Sequence, residues 1–280
     1  SAKFADAAIE FLQRGSDRPF FLQVNFTAPH DPLLSPPGWE ETYDPKRMPL
    51  PENFAGRHPF DHGNYEGRDE QLNSWPRKKK DIRRDLATYY AVISHMDQQV
   101  GRILAGLEKS GQADNTIVIF TSDHGLALGS HGLMGKQNMY EHTINVPLVI
   151  RGPGFPAGKK CNAQCYLRDL VPTCLELAGI EVPASVEAAS LMPVVRGEID
   201  EVHRFIIGYF ADKQRMIRMH DWKYIYYPQA EREQLFFLGN DPFELVDLSR
   251  DKRSAQIRDE LRQEMIQWLQ NHGDPLQYDN

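Results

Sequence analysis

A chain of 280 residues, 41% of them hydrophobic and 25% charged, has ordinary globular composition and is long enough for one large domain or two smaller ones without disulfide staples. A net charge of −7 and a pI near 5.8 argue against a nucleic-acid partner, although a local cation cluster or a metal can still receive a small anion. No run approaches the roughly 20 apolar residues of a membrane helix, and nothing at the amino end has the charged and apolar regions of a signal peptide.

In chain order, Phe4, Ala8, Phe11 and Leu12 recur at helical spacing and predict a helix over 2–14, so the chain opens in the middle of a helical unit. The run Pro19-Phe20-Phe21-Leu22-Gln23-Val24-Asn25-Phe26 is nearly continuous in apolar residues and reads as a buried strand ending at the loop Thr27–Pro32. Residues 31–80 are rich in Pro, Gly and Asn, lack a period, and read as a long irregular loop with His58 and His62 on its surface. Leu86, Tyr89, Ile93, Met96, Val100, Ile103, Leu104 and Leu107 predict a helix over 82–109, closed by Gly111. The basic run Arg77–Lys80, with Arg83 and Arg84, reads as a solvated face, with a rim attracting a sulfated glycan as the sharper alternative.

Thr116–Phe120 and Val146–Ile150 read as two further buried strands. With the long helix before them, they give the rhythm of a parallel α/β sheet. A short helix follows over 167–178. After about residue 200, short aromatic strands over 205–209, 216–219, 222–227 and 234–237 predict a small antiparallel sheet, covered by an amphipathic helix over 255–270. The expected organisation is therefore an α/β unit over 1–200 and an antiparallel α+β unit over 201–280. Cys161, Cys165 and Cys174 form no CxxC pair; a Cys161–Cys165 bridge and three free thiols both stay open.

Ligands of open parallel sheets collect at the carboxyl ends of strands, and chemistry-bearing residues fall there. The first strand delivers His30. The second delivers Asp123 and His124 in Thr121-Ser122-Asp123-His124-Gly125, and a glycine-rich loop leads on to Lys136. Asp123 offers an oxygen and His124 an imidazole to one cation, which suits Ca²⁺ or Mg²⁺ and shifts toward Mn²⁺ or Zn²⁺ through the nitrogen. Two ligands do not close a coordination shell. Lys136 and His30 are the donors available to an anion's oxygens, and His131 sits in the same loop. Each of these residues alone is ordinary: Asp-His-Gly is common turn chemistry, and a lone loop histidine or lysine needs no function.

Several stretches together resemble type I, formylglycine-dependent sulfatases of the alkaline phosphatase-like superfamily. These are PFFLQVNFTAPHDP (19–32), YAVISHMD (90–97), TIVIFTSDHGLALGSHGLMGKQNMYEHTINVPLVIRGPG (116–154), DLVPTCLELAGI (169–180) and LVDL (245–248). The resemblance implies a mostly parallel sheet flanked by helices, plus a small carboxyl-terminal antiparallel sheet with a packed helix. It further implies that Asp123 and His124 bind a divalent metal, Ca²⁺ first with Mg²⁺ or Mn²⁺ as alternatives. His30 and Lys136 would contact the sulfate and take part in catalysis, and His131 is a candidate substrate contact.

Such enzymes attack the sulfate ester of a small molecule or glycan with a formylglycine made from Cys or Ser in a C/S-x-P-S-R motif. None of the three cysteines here begins one; Cys161 reads Cys-Asn-Ala-Gln. The nucleophile is therefore expected in an amino-terminal segment acting as partner, with this chain alone inactive and unstable without it. A periplasmic or secreted location is likewise implied by the resemblance. The competing readings are a phosphonate monoester or phosphodiester hydrolase of the same superfamily, and a non-catalytic domain that binds sulfated glycan.

Overall fold

The computed structural model describes residues 1–15 and 18–276. Helix α1 (Ala2–Gln13) lies against helix α2 (Lys79–Lys109), with Ala5, Ala8 and Leu12 buried between them and Arg102 paired to Asp6 at 2.6 Å. The 31-residue α2 carries the expected stripe and starts three residues earlier than the apolar pattern, at Lys79, because its first turn is polar.

Residues 18–26 depart from expectation. They run as an extended segment that joins no strand, with Phe20, Leu22, Val24 and Phe26 half-buried and Phe21 76% exposed. Phe20 and Phe26 meet Phe11 and Phe4 edge-on at 5.7 and 6.2 Å, so one face of the segment covers α1. A strand requires a ladder partner for its N–H and C=O groups, and no described strand lies beside this one.

Strands β1 (Val118–Thr121) and β2 (Leu148–Arg151) pair with each other in antiparallel register, Val118 opposite Arg151 and Thr121 opposite Leu148. Among the described strands, then, no parallel pair forms. The chain reverses between 121 and 148 through helix α3 (Glu141–Ile144), and the first expected strand, which a parallel sheet would use, stays unpaired. Val149 and Phe120 are exposed on this two-stranded ribbon. Helices α4 (Leu170–Leu177) and α5 (Met192–Arg196) follow, and the three cysteines are free thiols.

The carboxyl-terminal part matches its pattern closely. β3 (Ile206–Phe210), β4 (Gln214–Met219), β5 (Trp222–Tyr227) and β6 (Arg232–Phe237) form an antiparallel meander in chain order. Helix α6 (Ala255–Asn271) covers one face, setting Leu261, Met265 and Leu269 on Ile207, Ile217, Tyr224 and Leu235. The alternate residues Met216, Ile225, Tyr227 and Phe236 point the other way, as the two-residue strand period requires, onto Ala127, Leu133, Met139 and Tyr140 of the 125–140 loop. On its far side that loop sends Leu128 and Met134 into a cluster with Ile82, Leu86 and Ala87 of α2 and with Met48. The glycine-rich loop is therefore clamped between α2 and the sheet. Leu245–Leu248 closes this unit: Asp247 Oδ1 accepts the N–H groups of Leu235 and Ser249 at 3.1 and 2.9 Å.

The 31–80 stretch is irregular as expected, with 3₁₀ turns at Pro45–Arg47 and Arg68–Leu72, but it is not a surface loop throughout. His58 and His62 are 2% and 1% exposed, which corrects the reading of both as surface residues. Their rings pack edge-on or tilted among Phe60, Tyr65 and Tyr140, and His58 Nε2 meets the Tyr140 hydroxyl at 2.9 Å. Arg77 is likewise buried and not part of a solvated face; Lys78, Lys79 and Lys80 are exposed as expected.

Candidate functional site

Two of the residues selected from the sequence meet although 106 positions apart: Lys136 Nζ lies 2.9 Å from His30 Nε2. His30 Nδ1 is 2.8 Å from the Asp31 carbonyl, which can only accept, so Nδ1 carries the proton and Nε2 is the acceptor facing Lys136. Around them stand groups that carried no sequence signal. Arg68 reaches both Asp31 and Asp69, at 2.7 Å for the Asp69 contact. Asp69 takes a hydrogen bond from Gln137 Nε2 at 3.0 Å and lies 4.0 Å from Lys136 Nζ. The Arg68 hydrogen bond holds the Asp31 carboxyl below the usual carboxylate range, against the opposing effect of burial and helped by the charges of His30, Arg68 and Lys136. Two carboxylates and Arg68 thus fix the base of a His–Lys pair whose tips remain accessible.

The loop beneath Lys136 is held by a buried ion pair. Glu70 accepts the Met134 N–H at 3.0 Å and the Gly135 N–H at 2.9 Å, and receives Arg77 Nη2 at 2.5 Å. Arg77 spends its remaining donors on the carbonyls of Gly132, Glu70 and Asn73, and its guanidinium lies 3.6 Å above the Trp75 ring. At Gly135 a Cβ would sit 2.7 Å from Gln137 Oε1 and 2.8 Å from Asp69 Cβ, so only glycine lets the chain pass between these groups.

Asp123 and His124 occupy the turn after β1. The Asp123 side chain is 78% exposed; its Oδ1 accepts the His124 N–H at 3.0 Å, and its Oδ2 lies 3.5 Å from His124 Nε2. His124 Nδ1 is 3.0 Å from the Gly125 carbonyl, which places the ring proton there and leaves Nε2 lone-pair outward beside the carboxylate. One carboxylate and one imidazole lone pair converging on the same space fit a divalent cation as two of its ligands. Among the described residues no third His, Cys, Asp or Glu joins them. Gly125 makes the turn possible: its N–H donates to the Thr143 carbonyl at 2.8 Å, and a Cβ would fall 1.9 Å from the His142 carbonyl oxygen.

That contact hands the turn's position to α3, and α3 in turn is tied to the sheet. Lys223, fully buried, lies 2.7 Å from both Glu141 and Glu244, and Arg218 reaches Glu141 at 2.9 Å. Burial raises the Glu244 carboxyl, with Lys223 opposing.

His131 lies elsewhere than the substrate face expected for it. Its ring stacks on Tyr140 at 3.9 Å and tilts toward His142 at 5.9 Å, while His58 contacts the Tyr140 hydroxyl. Burial lowers all these imidazoles: His58 to about 4, His62 and His131 to about 3, and His142 well below its ordinary value. They are neutral elements of the core beneath the loop.

The structure thus sets a strand-end Asp-His turn on one side and, through the glycine-rich loop, a lysine against a histidine on the other, and comparison with known proteins gives the family. The sulfatase family model matches residues 1–180, and the model for the carboxyl-terminal region of N-sulphoglucosamine sulphohydrolase matches residues 129–271. The chain belongs to the sulfatase family.

It is 33% identical over 271 residues to an arylsulfatase of Clostridium perfringens strain 13, covering 94% of this chain and 56% of that one. It is 34% identical over 249 residues to a choline-sulfatase of Rhizobium meliloti strain 1021, covering 85% of this chain and 48% of that one. The chain thus spans about half the length of these relatives. The solved structure of BT4656 with its substrate D-glucosamine-2-N,6-O-disulfate superposes with a TM-score of 0.81 at 24% identity, covering 98% of this chain and 70% of that one. The phosphonate monoester hydrolase of Agrobacterium radiobacter gives 0.81 at 24%, covering 96% and 61%. These two likenesses establish the alkaline phosphatase-like fold. No helix among the described residues is long and apolar enough to cross a membrane.

Proposed function

We propose that this chain forms part of a sulfate ester hydrolase and supplies the anion-binding half of its site. The observation that carries the reading is the 2.9 Å approach of Lys136 Nζ to His30 Nε2 at an accessible edge. Lys136 donates to a non-bridging oxygen of the bound ester, where a full cation counters the charge that develops as the S–O bond breaks. His30, held through Nδ1 on the Asp31 carbonyl, presents Nε2 to the ester or leaving-group oxygen and carries the proton there when protonated. Asp31, Asp69 and Arg68 hold the His30–Lys136 pair in register. Asp123 and His124 hold the divalent metal, which supplies Lewis-acid polarisation of the sulfate when bound; Ca²⁺ is first choice, then Mg²⁺ or Mn²⁺.

The nucleophile, a formylglycine, belongs to an amino-terminal segment of the same protein, which also pairs with the open edge of residues 18–26. A sulfated carbohydrate or aryl ester is the proposed substrate, in keeping with the sulfatase relatives and with the disulfated glucosamine bound by BT4656. A periplasmic or secreted location goes with that reading.

The test is hydrolysis of 4-nitrophenyl sulfate by the chain alone and by a polypeptide that includes the upstream segment. Activity only in the longer polypeptide, lost on Lys136→Ala and on Asp123→Asn, is the expected result. Full activity of the longer polypeptide after Lys136→Ala overturns it. The likeness to a phosphonate monoester hydrolase supports a second reading, in which the same pair binds a phosphonate. Faster turnover of 4-nitrophenyl phenylphosphonate than of the sulfate would select it.

A further inference from the structure

On the α6 side of the carboxyl-terminal sheet, opposite the face that supports the 125–140 loop, lies a recess of about 260 Å³. Its walls are Tyr166 and Arg168 from the turn before α4, Val202–Phe205 leading into β3, and Trp268 from the last turns of α6. We propose that this recess binds a single anionic sugar unit, one bearing a sulfate or a carboxylate.

The walls are built rather than accidental. The Tyr166 hydroxyl accepts the Ile207 N–H at 2.6 Å, and its own backbone N–H donates to Asp169 Oδ2 at 2.7 Å. Asp169, fully buried, also takes His203 Nε2 at 2.8 Å, which sets the imidazole edge-on to the Tyr166 ring at 5.0 Å. Trp268 is held flat by His272, stacked on it at 3.7 Å. Two aromatic surfaces therefore border the recess, and the Tyr166 hydroxyl is already committed to the Ile207 N–H.

At the opening Arg168 is the cation left over, because Arg204 is paired with Glu264. Arg168 lies 4.5 Å over the Tyr166 ring, is exposed, and has no carboxylate within ion-pair distance among the described residues. Arg204 lines the same recess, its side chain 60% exposed, with one Nη on Glu264 at 3.1 Å. Behind the wall, the Asp169 carboxylate is already satisfied by the Tyr166 N–H, His203 and the Ala189 N–H at 3.2 Å. The recess thus offers planar donors for one anionic group and apolar rings for the C–H face of a pyranose. A bare inorganic anion would use the arginines and leave the aromatic walls wet, and a neutral sugar would leave Arg168 without a counter-ion. The recess stands on its own residues, whatever His30 and Lys136 process.

The test is titration calorimetry, at constant ionic strength, of the polypeptide that includes the upstream segment, in the Lys136→Ala background, which removes anion binding at the other face. The probes are D-glucuronate, D-glucose 6-sulfate, D-glucose, sodium sulfate and benzenesulfonate. Saturable binding of either anionic sugar, with glucose and sulfate at least about tenfold weaker, is expected; the more tightly held sugar identifies the anionic group. Arg168→Gln, an exposed position, should weaken that binding by about tenfold or more, the scale of one charge-assisted contact. Quenching of indole fluorescence by the bound sugar should disappear in Trp268→Phe. Absence of saturable binding, equal affinity for sulfate alone, tighter binding of benzenesulfonate, or indifference to Arg168→Gln each overturns the proposal.

Discussion

Glu70→Gln tests the claim that the ground under Lys136 is an ion pair. In the native chain the Glu70 carboxylate accepts two backbone N–H groups of the loop and one Nη of Arg77, with both side chains essentially inaccessible to water. Burial pushes the Arg77 guanidinium down and Glu70 pushes it back up, so the carboxylate is what keeps the cation affordable inside. A glutamine has the same shape but one acceptor oxygen, and its amide group would point a donor at donors. Removing one partner of a buried pair costs about 3–5 kcal/mol, against a whole-domain stability of roughly 5–15 kcal/mol.

The urea midpoint should therefore fall steeply, and hydrogen exchange at the Met134 and Gly135 amides should accelerate more than at the α6 amides. A Glu70→Leu, Arg77→Met double variant should recover much of the loss, because no charge is then stranded. If Glu70→Gln lies within about 1 kcal/mol of the parent, the scale of an exposed pair, the loop is held by its apolar contacts and the argument fails.

Gly125→Ala should abolish a stable fold, since its Cβ has a carbonyl oxygen 1.9 Å away, whereas Gly101→Ala, in open space on α2, should stabilise by about 0.5–1 kcal/mol; thermal melts of the two decide it. Stability should also fall with acid. His58, His62 and His131 bind protons in the unfolded chain near pH 6.5 but in the folded one only near pH 4 to 3, so their contribution is complete above pH 6.5 and is lost as pH falls toward 4. The groups facing them are Asp61, Asp241, Lys213 and Lys223 together with the histidines themselves, and His58 alone accounts for roughly 3 kcal/mol. Urea midpoints at pH 7 and pH 4.5 measure this, and a flat profile would contradict the burial of these rings. Finally, Mn²⁺ should bind the chain weakly through Asp123 and His124, with paramagnetic broadening of their resonances lost in Asp123→Asn and unaffected by Lys136→Ala.

The carboxyl-terminal meander and α2 were legible because both rest on local periods, two in Ile206–Phe237 and 3.6 in Leu86–Leu107. Residues 19–26 carried an equally clear apolar pattern, yet pairing is a non-local property and the pattern alone names no partner. His30, Asp123, His124 and Lys136 stood out by their place at segment ends and by resemblance. That Lys136 reaches His30 follows only from how the 125–140 loop lies on the sheet. Asp31, Arg68, Asp69 and Glu70 fall in a stretch without period, where nothing in the sequence separates a buried carboxylate from a solvated one. The same lack of pattern hid His58 and His62, and Arg77 was disguised by the three exposed lysines that follow it.

The clamping of the 125–140 loop between α2 and the sheet has a consequence for how a ligand is received. With Leu128 and Met134 sunk on one side and Leu133, Met139 and Tyr140 on the other, the backbone has no second resting place nearby. If Lys136 receives an anion as proposed, what moves is its side chain, which turns away from His30 while the loop backbone stays in place. On the proposed reading the site is a rigid socket with one swinging contact, and its engagement would be set by diffusion and charge rather than by a gate.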